Sequence, residues 1–162
     1  MKRLKVFSVV TFTVMAMVVC AVMTNAQAQK TASDFTLQNL NGEEVNLRSF
    51  QGSQNVLLVF GTTWCPYCAK EIPDLNQLQA ELGSSGLTIL SVYVQEKKGK
   101  VTQFTADRDV AYEVLLDIEG DVARAYGVRG IPANYFIDKT GAVIYSSTGA
   151  VDVDKIKALA QA

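Results

Sequence analysis

Val56-Leu57-Leu58-Val59-Phe60-Gly61-Thr62-Thr63-Trp64-Cys65-Pro66-Tyr67-Cys68 is the stretch that decides how this chain folds. Its first five residues are a short, unbroken apolar run, which predicts a strand covered on both faces. A helical pattern follows over residues 66–82, where Ile72, Leu75, Leu78 and Leu82 can share one face. The cysteine pair thus falls where a buried strand meets a helix N-terminus. Unpaired N–H groups and the positive dipole end at such a terminus favour a thiolate. A thiolate is the form that attacks disulfides.

Cys65 is therefore the expected nucleophile. Pro66 suits the first helical position, where a missing N–H costs nothing. Cys68, one turn further and expected to be more deeply buried, is the expected resolving thiol. Cys65 would attack a partner disulfide, and Cys68 would then attack Cys65 and release the reduced partner. A static disulfide in so small a loop would stabilise the fold very little. A closed structural zinc site wants four Cys or His ligands, and the chain has three cysteines and no histidine. No metal and no cofactor are expected. The lack of histidine also removes a Cys–His dyad, so backbone donors must stabilise the thiolate.

Outward from this centre, Pro73 should kink the helix, and Gly83-Ser84-Ser85-Gly86 should end it. Leu87 to Val94 predicts a second buried strand. Glu96-Lys97-Lys98-Gly99-Lys100 reads as a polar loop, Val101 to Ala106 as a short helix and Val114-Leu115-Leu116 as a short strand. A brief helix over 121–126 is expected to be capped by Asp121 and closed by Gly127. Asn134 to Ile137 and Ala142 to Ser146 predict an antiparallel hairpin across Asp138-Lys139-Thr140-Gly141. Asp152 should cap a last helix containing Ile156 and Leu159.

Upstream, Asp34 to Leu40 and Glu43 to Leu47 flank Asn41-Gly42, a strong hairpin signal in which both turn residues tolerate positive φ. Residues 29–33 read as a loose polar lead-in. The element order predicts an α/β layer sandwich with a mixed central sheet.

Lys2, Arg3 and Lys5 precede an apolar run over 6–22, and Ala26-Gln27-Ala28 is a small-x-small site. This reads as a secretory signal over 1–28, cut after Ala28, ahead of one domain over 29–162. The run is also near the lower limit for spanning a bilayer, so an uncleaved anchor is the alternative. Cys20 reads as an apolar residue of this segment. Without it, twelve basic residues stand against sixteen acidic ones, so no basic excess attracts nucleic acid. Two cysteines then remain, both in C-x-x-C, a redox arrangement rather than a staple in an exported protein.

With Trp64-Cys65-Pro66-Tyr67-Cys68, with Pro73 five residues beyond, and with Gly130-Ile131-Pro132 before a strand, the chain resembles the thioredoxin superfamily. Within it the chain is most similar to the TlpA/ResA-like exported thiol–disulfide oxidoreductases, which overlap with the redoxin and AhpC/TSA group. Asp34-Phe35-Thr36-Leu37, residues 70–75, residues 117–127 and residues 131–141 carry this closer likeness. The resemblance implies a thioredoxin-like three-layer sandwich with an N-terminal β-hairpin and an insert before the strand that follows Pro132. It also implies a cis Ile131-Pro132 bond, with the Ile131 backbone pairing to an incoming substrate. Trp64, Pro66, Tyr67, Ile131 and Pro132 are the implied docking residues. Trp64 is expected over the dithiol and Tyr67 facing the partner.

The chain departs from the superfamily at Val59, where many thioredoxins carry a buried aspartate that accepts the resolving thiol's proton. Glu71 is the candidate for that proton transfer by proximity, although a helix-surface or loop-bracing place is the plainer expectation for it. The implied activity is periplasmic thiol–disulfide exchange, mainly as a reductant, for instance in cytochrome c maturation, by a monomer fed from a membrane thiol donor. A thiol peroxidase is a second reading, because Thr62 and Cys65 match part of a peroxiredoxin motif. A non-enzymatic copper-handling or docking module is a third, since fold does not fix function.

Overall fold

The computed structural model describes residues 30–162. The expected signal over 1–28 and Cys20 lie outside the described residues. The strands are β1 (Thr36–Asn39), β2 (Glu44–Asn46), β3 (Asn55–Gly61), β4 (Leu87–Val94), β5 (Glu113–Asp117), β6 (Ala133–Ile137) and β7 (Val143–Thr148). The α-helices are α1 (Pro66–Lys70), α2 (Ile72–Leu82), α3 (Lys98–Ala106), α4 (Asp121–Ala125) and α5 (Val153–Ala160). One seven-stranded sheet runs in the order β2-β1-β5-β4-β3-β6-β7. β3 pairs in parallel with β4, and β4 with β5; the other pairings are antiparallel. The sheet is mixed, as the element order predicts.

β3 is central because it is apolar on both sides. Leu57 and Val59 pack against Leu75, Leu78 and Ile156 of α2 and α5. Leu58 and Phe60 pack on the opposite face against Val122 and Ala123 of α4 and against Tyr126. Tyr93, Val101 and Phe104 join α3 to the sheet. This makes three layers. Phe60, Phe136 and Leu57 are fully buried, each contributing roughly 1.5–3 kcal/mol relative to exposure.

Several local expectations need correction. The helix expected over 66–82 is two helices that break at Glu71. Pro73 cannot donate an N–H to the carbonyl four residues back, so the ladder stops and restarts. The polar loop before α3 is shorter than expected, because α3 begins at Lys98. Three lysines and a glycine near a helix start oppose both dipole and propensity, which hides it in the sequence. α4 is held by Asp117 rather than Asp121: the Asp117 carboxylate accepts the N–H groups of Val122 at 3.3 Å and Ala123 at 2.9 Å. Gly127 closes α4 at φ +70° as expected.

In the first hairpin Gly42 has φ +86° whereas Asn41 does not enter the left-handed region. The turn is instead bracketed by Asn39, whose Oδ1 accepts the N–H groups of Asn41 and Glu43 at 2.9 Å. The lead-in is pinned rather than loose: Thr31 bridges Ala142, and the Ala32 N–H donates to Gly141 O at 2.9 Å. Asp152 caps α5 through the Lys155 N–H at 3.0 Å.

Candidate active site

β3 delivers the chain to the end of the sheet, and Thr62 to Trp64 turn it into α1. Cys65 is the N-cap of α1, in an extended conformation, with Pro66 at the first helical position. Its Sγ accepts the Cys68 N–H at 3.2 Å. The expected backbone donor is therefore in place. Cys65 and Cys68 are joined as a disulfide across a Cα–Cα distance of 5.3 Å. Cys68 is not the more buried of the two in this state: Cys65 is 4 % exposed and Cys68 7 %. The turn of α1 folds both sulfurs inward, and the backbone of Gly61 leaves room for Cys68. A Cβ at position 61 would stand 3.3 Å from the Cys68 sulfur.

Apolar surface surrounds the buried pair. Trp64 and Tyr67 are each 68 % exposed, the most open large hydrophobic side chains of the described residues. The Ile131-Pro132 peptide is cis. Ile131 and Trp64 line one groove together with Thr62, Val94 and Arg124.

Glu71 occupies the break between α1 and α2 and is only 3 % exposed, so it is not a helix-surface residue. Its Oε2 accepts the Val151 N–H at 3.0 Å, which braces the loop between β7 and α5. Burial raises its pKa to about 7, the Val151 bond opposes that rise, and the charge of Asp74 adds to it. The carboxyl therefore changes charge near neutrality. Burial also raises the Tyr93 hydroxyl to about 12, with Glu71 among the smaller contributors.

A second buried carboxylate was not legible in the sequence. Glu96 is 7 % exposed. It accepts the Thr63 N–H at 2.6 Å, the Thr63 hydroxyl at 2.6 Å and Lys100 Nζ at 2.6 Å. Burial pushes its pKa up, but Lys100 and the two Thr63 donors outweigh that and hold it below the ordinary range. A charged residue in a lysine-rich run carries no signal of burial. Only the partner 33 positions away reveals it.

The chain matches the AhpC/TSA family over residues 28–146. It is 36% identical to the thiol-disulfide oxidoreductase ResA of Geobacillus thermodenitrificans over 127 residues, covering 78% of this chain and 72% of that protein. ResA of Bacillus thuringiensis subsp. konkukian is 33% identical over 120 residues, covering 74% of this chain and 69% of that protein. Among solved structures, a protein described as a thiol:disulfide interchange protein DsbE from Chlorobium tepidum superposes with a TM-score of 0.74 at 33% identity. That match covers 82% of this chain and 92% of the other. The fold, the C-x-x-C helix start and these matches agree: this chain belongs to the AhpC/TSA family and, within the thioredoxin superfamily, to its TlpA/ResA-like thiol–disulfide oxidoreductases.

Proposed function

We propose that this protein exchanges electrons with protein disulfides outside the cytoplasm through Cys65 and Cys68, acting mainly as a reductant. The observation that carries this reading is the Cys65 sulfur at the start of α1. It receives the Cys68 N–H and is paired with Cys68 beside an exposed apolar rim. In the reduced protein the Cys65 thiolate attacks one sulfur of a partner disulfide. A Cys65–partner bond forms, and the partner's other sulfur leaves as a thiolate. Cys68 then loses its proton and attacks Cys65. The Cys65–Cys68 bond forms, the second partner sulfur leaves, and two electrons have passed to the partner.

Glu71 receives the Cys68 proton. A carboxyl with a pKa of about 7 lies closer to a free thiol, near 8.5, than an ordinary carboxylate does. Trp64, Pro66, Tyr67, Ile131 and Pro132 seat the partner, which has to be docked before it reaches sulfurs this buried. The segment over 1–28 directs export, and a membrane thiol donor returns the disulfide to the dithiol. Apocytochrome c and other exported cysteine proteins are the partner class, and the working form is a monomer.

The test is turnover of a protein disulfide by the reduced protein, with Cys65→Ser and Cys68→Ser in parallel. Cys65→Ser should abolish reduction, and Cys68→Ser should accumulate a mixed disulfide through Cys65. Turnover retained by Cys65→Ser rejects the nucleophile. Peroxide consumption with no protein-disulfide reduction rejects the reading in favour of a thiol peroxidase.

A further inference from the structure

Residues 149–151, between β7 and α5, touch two parts of the proposed site at once. The Gly149 N–H donates to Pro132 O at 2.8 Å. The Val151 N–H donates to Glu71 Oε2 at 3.0 Å. Between these two bonds the backbone is fixed by one side chain, Asn134 of β6, whose Nδ2 donates to Gly149 O at 2.9 Å. Asn134 has no exposed surface, and its Oδ1 has no hydrogen-bond partner among the described residues. Burying an amide costs free energy unless its groups are hydrogen-bonded, and the bond that Asn134 makes is to the Gly149 carbonyl. Gly149 has φ +103°, and a Cβ there would meet nothing within 4 Å. Its glycine is needed for backbone conformation and not for space.

We infer that Asn134 is a positioning residue: by holding Gly149 it aims the Val151 N–H at Glu71 and ties the proton-accepting carboxyl to the substrate-docking segment at Pro132. This rests on the role proposed for Glu71 above. A hydrogen bond to a carboxylate favours its charged form. Withdrawing the Val151 N–H therefore raises the proton affinity of Glu71. The other groups whose charge bears on Glu71 are Asp74 of α2, which pushes its pKa up, and the raised Tyr93 of β4 and Tyr112 ahead of β5. Neither Asn134→Ala nor Gly149→Ala removes any of the three.

The experiment is carboxyl NMR titration of carbon-13 glutamate-labelled protein in the oxidised form, where neither cysteine titrates. Asn134→Ala and Gly149→Ala should each move the Glu71 midpoint upward, by about half a unit or more, as the bond to the charged form is lost. Ser147→Ala removes another buried, unpartnered polar atom, directly across from Asn134, and should leave the midpoint where it is. If Asn134→Ala does not fold, Gly149→Ala reads the tether alone. An unchanged midpoint in a folded Asn134→Ala or in Gly149→Ala, or a shift of equal size in Ser147→Ala, overturns the inference whatever the melting temperatures do. A wild-type midpoint in the ordinary carboxylate range instead counts against Glu71 as proton acceptor. The difference between variants still reads the tether in that case.

Discussion

Glu96 accepts both the backbone N–H and the hydroxyl of Thr63, each at 2.6 Å, so a carboxylate just beyond β4 fixes the residue just before Trp64-Cys65. The Thr63 N–H has no other acceptor among the described hydrogen bonds. Glu96→Ala should therefore leave a partly buried donor unsatisfied and cost about 1–3 kcal/mol. Lys100→Ala removes only the outer partner, whose side chain is 58% exposed, and should cost less than about 1 kcal/mol. Urea unfolding of the oxidised protein measures both. Equal losses would mean that Glu96 serves Lys100 rather than the active-site turn.

Glu71 gives the fold a pH dependence of definite sign. Its pKa is raised from 4.5 to about 7 in the folded protein, so folding favours the protonated form. The stabilisation is fully present below about pH 4.5 and is lost as pH rises through 7, amounting to about 3 kcal/mol. Glu71→Gln keeps an acceptor for Val151 and does not ionise. Unfolding free energies from pH 5 to 8 should fall in the wild type relative to Glu71→Gln. Parallel curves would show that Glu71 does not hold its proton in the fold.

Trp64 should matter for docking and not for stability. At 68 % exposure its truncation to alanine removes little buried surface, and stability should change by no more than about 0.5 kcal/mol. KM for a protein disulfide should rise several-fold, with a smaller effect on kcat. A large drop in melting temperature with unchanged KM would make Trp64 a structural residue.

Asp117 is 1 % exposed and accepts two N–H groups at the start of α4. Asp117→Ala should cost about 1–2 kcal/mol, as for loss of a helix cap. Asp121→Ala should cost less, because Asp121 is exposed and pairs with exposed Arg124. Thermal melts of the two variants decide the order.

The sequence carried the frame of this protein further than its site. Leu87–Val94 is legible to the residue, because a mostly apolar run of strand length that starts just after Gly86 fits a buried strand better than a helix. The hairpin β6–β7 is equally legible from its turn composition. Cys65 at the start of α1 follows from the strand-to-helix change of pattern. The two buried glutamates do not. Glu71 meets its partner 80 residues away and Glu96 meets its partner 33 away, and no local pattern encodes contacts of that range. Asp117 misleads for the same reason: it caps a helix from the end of the preceding strand, while Asp121 has the more familiar position.

The central claim is tested most directly by the pH dependence of Cys65 alkylation in the fully reduced protein, with the modified residue identified by peptide mass. The Cys65 thiol should react first, with a midpoint clearly below the roughly 8.5 of free cysteine, while Cys68 reacts slowly. A Cys65 midpoint at or above the free value, or modification of Cys68 ahead of Cys65, would contradict the account.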